Sequence, residues 1–502
     1  MRLAAFGAIA IGLVGHALYF NFLNDDAYIS FRYADNLVRH GELVFNPGEK
    51  VEGYTNFLWT VLMAAVIALD GDPGLWSRVL GIGLAIITCW TITGFISRLR
   101  GGTRMSDLLP SVFLAAAPAY ACWATGGLET QLFTALTTLA IVSYLDAESR
   151  QDSLVLSGIW FALASMTRPE GMLLLAVVGL FHLLRMLFVQ KRWRPNGREW
   201  RWSFAFIVLF APYFAWRWSY YGWPFPNTYY VKTGAQGFWA PGARYLLSWV
   251  NTHWLWVLPI FWMLALRIAN DAIKRFLLLS ALITGVIVLH VTRVGGDFMA
   301  LHRFYVPIMP LVACVAAFGC YAIATHIPMA WKKSAIAVCV VVVFAAAVHI
   351  KRVDEFAMSD GSDQGVDRIG WLKKFHKQCT AIGQWLAREA EPDQSIAVTA
   401  AGIIPYYSKL YTVDVLGLND EWVAHNVPAR GHRPGHTKSA PLSYVLKKDV
   451  DFLIYHPTIT EHTPTKRRSE RDVWRARGYR WKAIKVDGLT PPWWGTWVKI
   501  ND

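Results

Sequence analysis

Long apolar runs separated by short polar or charged joints fill the first 350 residues. A bilayer core of about 30 Å needs roughly 17–25 mostly apolar residues in a helix. Such runs lie near 3–22, 75–97, 107–123, 128–146, 152–166, 170–189, 202–219, 251–267, 275–291, 304–324 and 334–350, which predicts about eleven transmembrane helices. The first run has only Arg2 before it, lacks a clear small-residue cleavage site and continues into a polar segment, so it reads as an uncleaved anchor. Residues 56–69 are also apolar, but at about fourteen residues they suit a helix lying at the interface better than a span.

Past residue 350 the pattern changes. The apolar runs shorten to 395–399, 410–416 and 450–455, bounded by Gly, Pro, Asn and Asp, and read as buried strands, while 371–390 has helical spacing. The expected architecture is an α-helical polytopic membrane protein over residues 1–350, with an outer-face loop at 24–74, followed by a small C-terminal α/β domain on the outer side at 351–502. No internal repeat or low-complexity stretch interrupts it.

Composition sharpens this picture. The chain is 54% hydrophobic and 17% charged, which excludes a disordered chain and argues against an ordinary soluble enzyme. Lys+Arg 49 against Asp+Glu 35 leaves +14. In an apolar chain that balance points to cytoplasmic loops and anionic lipid before nucleic acid, and no nucleic-acid partner is expected. Six cysteines, most of them in apolar runs, make no disulfide framework. With 56–69 on the surface, the joints 98–104, 146–152, 191–201, 267–275 and 326–333 share one side, and four of the five are clearly basic. The positive-inside rule then puts the N-terminus in the cytoplasm and the tail outside.

The remaining joints carry the unusual ionisable groups, all expected on the outer face. Adjacent Asp25 and Asp26, within Asn24-Asp25-Asp26-Ala27-Tyr28-Ile29-Ser30-Phe31-Arg32-Tyr33-Ala34, can raise one another's pKa, which suits a general base or a metal ligand. Arg32 is a partner for an acid or a phosphate. The plainer alternative is a helix N-cap with acids favoured by the helix dipole. Next, Pro47-Gly48 makes a turn, and Glu52, Tyr54 and Asn56 offer polar groups beside the interfacial helix. Glu129 stands at the mouth of a span. Arg168 stands at a Pro-initiated helix start, where it either snorkels and pairs with Glu170 or binds a phosphate. The aromatic run 220–232, with Asn227, Tyr229 and Lys232, suits either an interfacial belt or stacking on sugar rings, with Lys232 a phosphate candidate. In 293–304, which also holds Asp297, Gly295 and Gly296 let the backbone approach an anion while Arg293, His302 and Arg303 cluster positive charge, a satisfied structural histidine being the alternative for His302. In the tail, 401–408 and 414–420, with Asn419 and Asp420, stand at strand ends and read first as structural turns. The pair His432 and His436 is a candidate for substrate contact.

On these residues the sequence resembles the GT-C superfamily of integral-membrane glycosyltransferases, and within it the AftB-like terminal arabinofuranosyltransferases. The matched motifs are 25–34, 44–48 with 52–56, Gly127-Leu128-Glu129-Thr130, Thr167-Arg168-Pro169-Glu170-Gly171, Pro226-Asn227-Thr228-Tyr229-Tyr230, Gly295-Gly296-Asp297-Phe298-Met299 and 414–420, in order along nearly the whole chain. The resemblance implies a polyprenyl-phosphate-linked sugar donor and a cell-envelope glycan or glycolipid acceptor, at the outer face of a bacterial cytoplasmic membrane. It also implies an acidic base in the first outer loop, which maps to Asp25 or Asp26. The leaving phosphate would be held by Arg168, Lys232, Arg293, His302 and Arg303, with Tyr28, Arg32, Glu52, Tyr54, Asn56, Glu129, Asn227, Tyr229, Asp297, Asn419, Asp420 and His436 around the substrates. No cofactor is expected; a divalent cation, were one needed, would sit at Asp25 and Asp26. The alternatives are a transferase of another lipid-linked sugar to lipid or protein, and a non-catalytic transporter or flippase.

Overall fold

The computed structural model describes residues 1–232, 238–363, 365–431, 433 and 436–500. Helices occupy every apolar run expected to span. Among the described residues, six are long and apolar enough to cross a membrane: Arg2–Phe20, Pro73–Leu99, Glu170–Phe188, Asp271–Val294, Arg303–His326 and Ser334–Met358. The pair Trp239–Thr252 and Leu255–Arg267, bent by 86°, makes a seventh if it is one span. The remaining runs fall short for identifiable reasons. Val155–Thr167 is a 13-residue helix, and the run 107–123 breaks at Ala117, whose extended backbone precedes Pro118. Thr130–Arg150 and Gly197–Tyr221 are long, yet carry groups such as Gln131, Glu148, Glu199 and Arg217. The 56–69 run forms the short helix Phe57–Ala68.

The chain divides into two compact units. The first comprises Met1–Asn21, Ser77–Ala215 and Gly237–Ile369. Its helices approach closely where glycine leaves room, as expected where packing between apolar helices replaces the hydrophobic effect. A Cβ on Gly242 would lie 1.8 Å from the Thr292 carbonyl oxygen, and one on Gly81 would lie 2.2 Å from that of Ala124. Charge inside this unit is compensated: the buried Glu148 faces Arg185 at 3.1 Å and Arg198 at 2.8 Å. The two-residue strands β1 (Ser362–Asp363) and β2 (Val366–Asp367) close a hairpin in this unit.

The second unit comprises Phe22–Trp76, Trp216–Gln236 and Gly370–Asp502. Its centre is a five-stranded sheet in the order β4-β3-β5-β7-β6, where β3 is Ser395–Val398, β4 Tyr411–Asp414, β5 Phe452–Thr460, β6 Tyr479–Lys485 and β7 Trp493–Lys499. β3 pairs in parallel with β4 and β5, and β7 pairs antiparallel with β5 and β6. Ala397, Val413, Val415, Val445, Val450 and Leu453 pack in its core. Strands form at the three apolar runs read from the sequence. The antiparallel pair β6 and β7 lies outside those runs: in β6 Arg480 and Lys482 alternate with Tyr479, Trp481 and Ala483, and in β7 Gly495 and Thr496 part Trp493-Trp494 from Trp497-Val498, so neither shows a continuous apolar run.

Since β4 follows β3 on one side and β5 lies on the other, the chain reverses its winding direction at β3. In open α/β sheets, ligands favour the crevice beyond the strand carboxyl ends at such a reversal. The loop leaving β3 leads into the short helix Ile403–Ser408. The loop leaving β4 runs past Asp414 to Asn419, and close packing fixes it. A Cβ on Gly53 would lie 1.9 Å from Asn419 Oδ1 and 2.8 Å from the Leu418 carbonyl oxygen. Gly53→Ala is therefore expected to cost about 1–3 kcal/mol by overpacking, read as a lower melting temperature of the detergent-solubilised protein.

Candidate active site

Helix Asp25–His40 carries the first acidic motif. Asn24 caps it, its Oδ1 accepting from the Asp26 backbone N–H at 2.8 Å, so both aspartates stand in the first turn, where the helix dipole favours negative charge. Asp25 reaches the loop after β3. Its Oδ1 accepts from the Ile403 N–H at 2.8 Å and its Oδ2 from the Gly402 N–H at 3.1 Å. Burial, with Asp26 and Asp414 nearby, raises the Asp25 carboxyl to about 7 despite those two donors. A carboxylate poised there can take a proton at neutral pH, as a general base must. Burial also raises Asp414 to about 6, while it accepts from the N–H groups of Leu416 and Asn419.

The acidic helix is fixed along its length by the same part of the sheet. Arg32 is buried and donates to four neutral oxygens: the carbonyls of Phe45 at 2.7 Å, Pro405 at 2.6 Å and Leu410 at 2.8 Å, and Asn46 Oδ1 at 3.1 Å. This corrects the expectation of an acid or phosphate partner: carbonyls solvate the guanidinium without neutralising it. Asp35, one turn on, pairs with Lys409 at 2.8 Å. Tyr28 is buried, its hydroxyl 2.8 Å from His376 Nε2, with Tyr406 and Tyr407 around its ring.

Several other candidates in this unit hold the protein together. Glu52 forms a buried ion pair with Arg217, whose Nε lies 3.1 Å from both carboxylate oxygens. Asn56 bonds Ser30 and Thr60. The Tyr54 hydroxyl lies 3.2 Å from that of Tyr221. Asn227 donates to the carbonyls of Gly417 and Leu418, both at 2.9 Å. Asn419 bonds Asp414, and Asp420 caps helix Glu421–Asn426 while accepting from Tyr444. These contacts give Glu52, Asn56, Asp420 and the amide NH₂ of Asn227 partners within the protein. Tyr229 and Lys232 are exposed. The His436 N–H bonds the Arg433 carbonyl at 3.0 Å, and His432 lies outside the described residues.

Glu129, Arg168, Arg293, Asp297, His302 and Arg303 belong to the first unit. Arg168 bonds Glu129 at 2.7 Å and Glu170 at 2.8 Å. The Arg168 guanidinium is thus held between two carboxylates of the protein. Arg303 pairs with buried Asp297 at 2.7 Å and lies over the Trp123 ring. His302 is buried with Nε2 3.0 Å from Ser248 Oγ, and burial, then His253, holds its pKa well below the usual imidazole value. It offers a neutral ring, not the expected cation. Arg293 is exposed at the end of helix Asp271–Val294.

Sequence reasoning missed Gly402, Ile403, His376 and Arg217 as partners of the acidic loop. Backbone N–H donors leave no residue-type signal, though the Gly402 segment and its strand-end position were legible.

The family described as domain of unknown function DUF8728 matches residues 370–498. The chain is 29% identical over 257 residues to the terminal β-(1→2)-arabinofuranosyltransferase of Mycobacterium tuberculosis, covering 46% of this chain and 38% of that protein. It is 25% identical over 339 residues to the protein of the same name from Corynebacterium glutamicum, covering 59% of this chain and 47% of that one. The matches thus span less than half the length of each relative. Among solved structures, ArnT from Cupriavidus metallidurans bound to undecaprenyl phosphate is similar with a TM-score of 0.62 at 13% identity, over 99% of this chain and 97% of that one. The Archaeoglobus fulgidus oligosaccharyltransferase gives 0.53 at 9% identity, over 98% and 71%. Both are GT-C folds, and this chain shares that fold.

Proposed function

We propose that this protein is an integral-membrane glycosyltransferase. It moves a sugar, arabinofuranose as the leading candidate, from a polyprenyl-phosphate donor to a cell-envelope glycan at the outer face of the cytoplasmic membrane. The similarity to two terminal arabinofuranosyltransferases supports the reaction class and the sugar. The likeness to an ArnT bound to undecaprenyl phosphate supports a polyprenyl carrier. The observation that carries the reading is Asp25 itself: an acid poised near neutrality at the carboxyl edge of the sheet. In this proposal the shorter and more polar helices also cross, giving eleven spans with a cytoplasmic N-terminus and an outer tail.

The reaction is one inverting displacement. An acceptor hydroxyl attacks the anomeric carbon and its proton passes to an aspartate of the acidic pair. The bond between that carbon and the phosphate oxygen breaks, and polyprenyl phosphate leaves. Of the proposed phosphate ligands, Arg293 and Lys232 are the exposed cations.

Purified protein given a synthetic polyprenyl-phosphate arabinofuranose and an arabinan acceptor is expected to release free polyprenyl phosphate with an equal amount of extended acceptor. Acceptor-independent movement of intact donor between leaflets, without release, would make it a flippase instead. Turnover is expected to survive EDTA. Loss in EDTA with recovery on adding Mg²⁺ would bring in a cation, with Asp25 and Asp26 as its ligands.

A further inference from the structure

We propose, building on the transferase reading above, that Gly402 and Ile403, some 377 residues along the chain from Asp25, are positioning residues for the base: their backbone N–H groups aim the Asp25 carboxylate and single it out from Asp26.

Three observations carry this. Both Asp25 oxygens accept from that one peptide turn, at 2.8 and 3.1 Å. The approach is possible only with glycine at 402, since a Cβ there would lie 1.9 Å from the Asp25 carbonyl oxygen and 2.8 Å from its Cγ. The register is set a second and third time further along, by Arg32 on Pro405 and Leu410 and by Asp35 on Lys409. A helix tied at three levels to one segment cannot slide or rotate without breaking all of them. That is the preorganisation a proton acceptor needs, because small misplacements cost large factors in rate. The segment also stands at the carboxyl end of β3, where the sheet reverses its winding.

The charged and titratable groups facing Asp25 are Asp26 on its own helix, Cys379 on helix Ile369–Glu389 and Asp414 at the end of β4. Tyr28 and His376 form the next pair along the helix. The two N–H groups oppose the burial and the neighbouring acids, favouring the carboxylate. Removing one of them makes the base harder to deprotonate.

The test is the acid limb of kcat/KM against pH, measured with the full-length protein in detergent and a polyprenyl-phosphate sugar. In the parent, activity is expected to rise with pH through about 7. Ile403→Pro deletes the N–H at the first position of a helix, where proline fits, and is expected to move the limb up by roughly one to two pH units. Ile403→Ala keeps the N–H, so its limb should stay in place whatever it loses in rate. Should the proline variant fail to fold, α-hydroxy-isoleucine at 403 exchanges the same N–H for an ester oxygen and reads the same limb. Repeating the pair in a His376→Gln background excludes the imidazole as the group observed.

An active parent whose limb is the same in the proline or ester variant overturns the positioning role and leaves the transferase reading standing. A parent that transfers no sugar overturns both.

Discussion

Replacing Asp25 by Asn is expected to lower sugar transfer by roughly two to four orders of magnitude, the usual worth of a positioned general base. The variant should still insert in membranes and bind donor. Asn retains the shape and one acceptor oxygen for the Ile403 N–H, but its amide NH₂ faces the Gly402 N–H donor and it cannot take up a proton. The loss should fall on kcat with little change in KM, since the missing interaction is made in the transition state. Asp26→Asn separates the two acids. It removes a like charge beside Asp25, so whatever activity remains should have its acid limb shifted to lower pH. If Asp25→Asn transfers at the parent rate and the loss belongs to Asp26→Asn, then Asp26 is the base and the contact with residues 402 and 403 is architectural.

The second large effect concerns the fold. Arg32→Met keeps the aliphatic stem but withdraws donors from the buried carbonyls of Phe45, Pro405 and Leu410 and from Asn46 Oδ1. Each acceptor keeps a second donor: Asn36 on Phe45, the Lys409 N–H on Pro405, and Thr412 on Leu410 and Asn46. What is lost is four hydrogen bonds at about 1 kcal/mol each, so a destabilisation on the order of 4 kcal/mol is expected. It should appear as a lowered unfolding temperature and as new protease cutting between residues 402 and 410. Arg32→Lys separates this role from anion binding. An ammonium would serve a phosphate, yet it has three donors on a flexible stem and cannot satisfy oxygens spread around a planar fork. Arg32→Lys protein that melts with the parent would show that the four hydrogen bonds do not carry the stability assigned to them.

The sequence made visible what depends on local pattern. Span-length apolar runs and the short run at Phe57–Ala68 were legible because the bilayer sets a length and a helix must satisfy it. β3, β4 and β5 were legible because strands covered on both faces read as continuous apolar runs. Arg32 shows where this ends. Beside two aspartates and two tyrosines it looked like an anion ligand, while its partners are neutral oxygens, two from the nearby Phe45 and Asn46 and two from Pro405 and Leu410, 373 and 378 positions away. For Arg168 the motif itself offers Glu170 and the fold adds Glu129, while for Arg303 the fold adds the pairing with Asp297.

The second unit is assembled from three pieces, 22–76, 216–236 and 370–502, and this sets an order of events during synthesis. The aspartates are made some 377 residues before the turn that receives Asp25. Throughout insertion of the intervening apolar helices, the acidic helix waits without its docking surface. A ribosome halted between residue 370 and β3 would therefore leave a chain that holds its long apolar helices and both acids yet lacks the turn on which Asp25 docks. The docked acid comes only with the third piece of the unit.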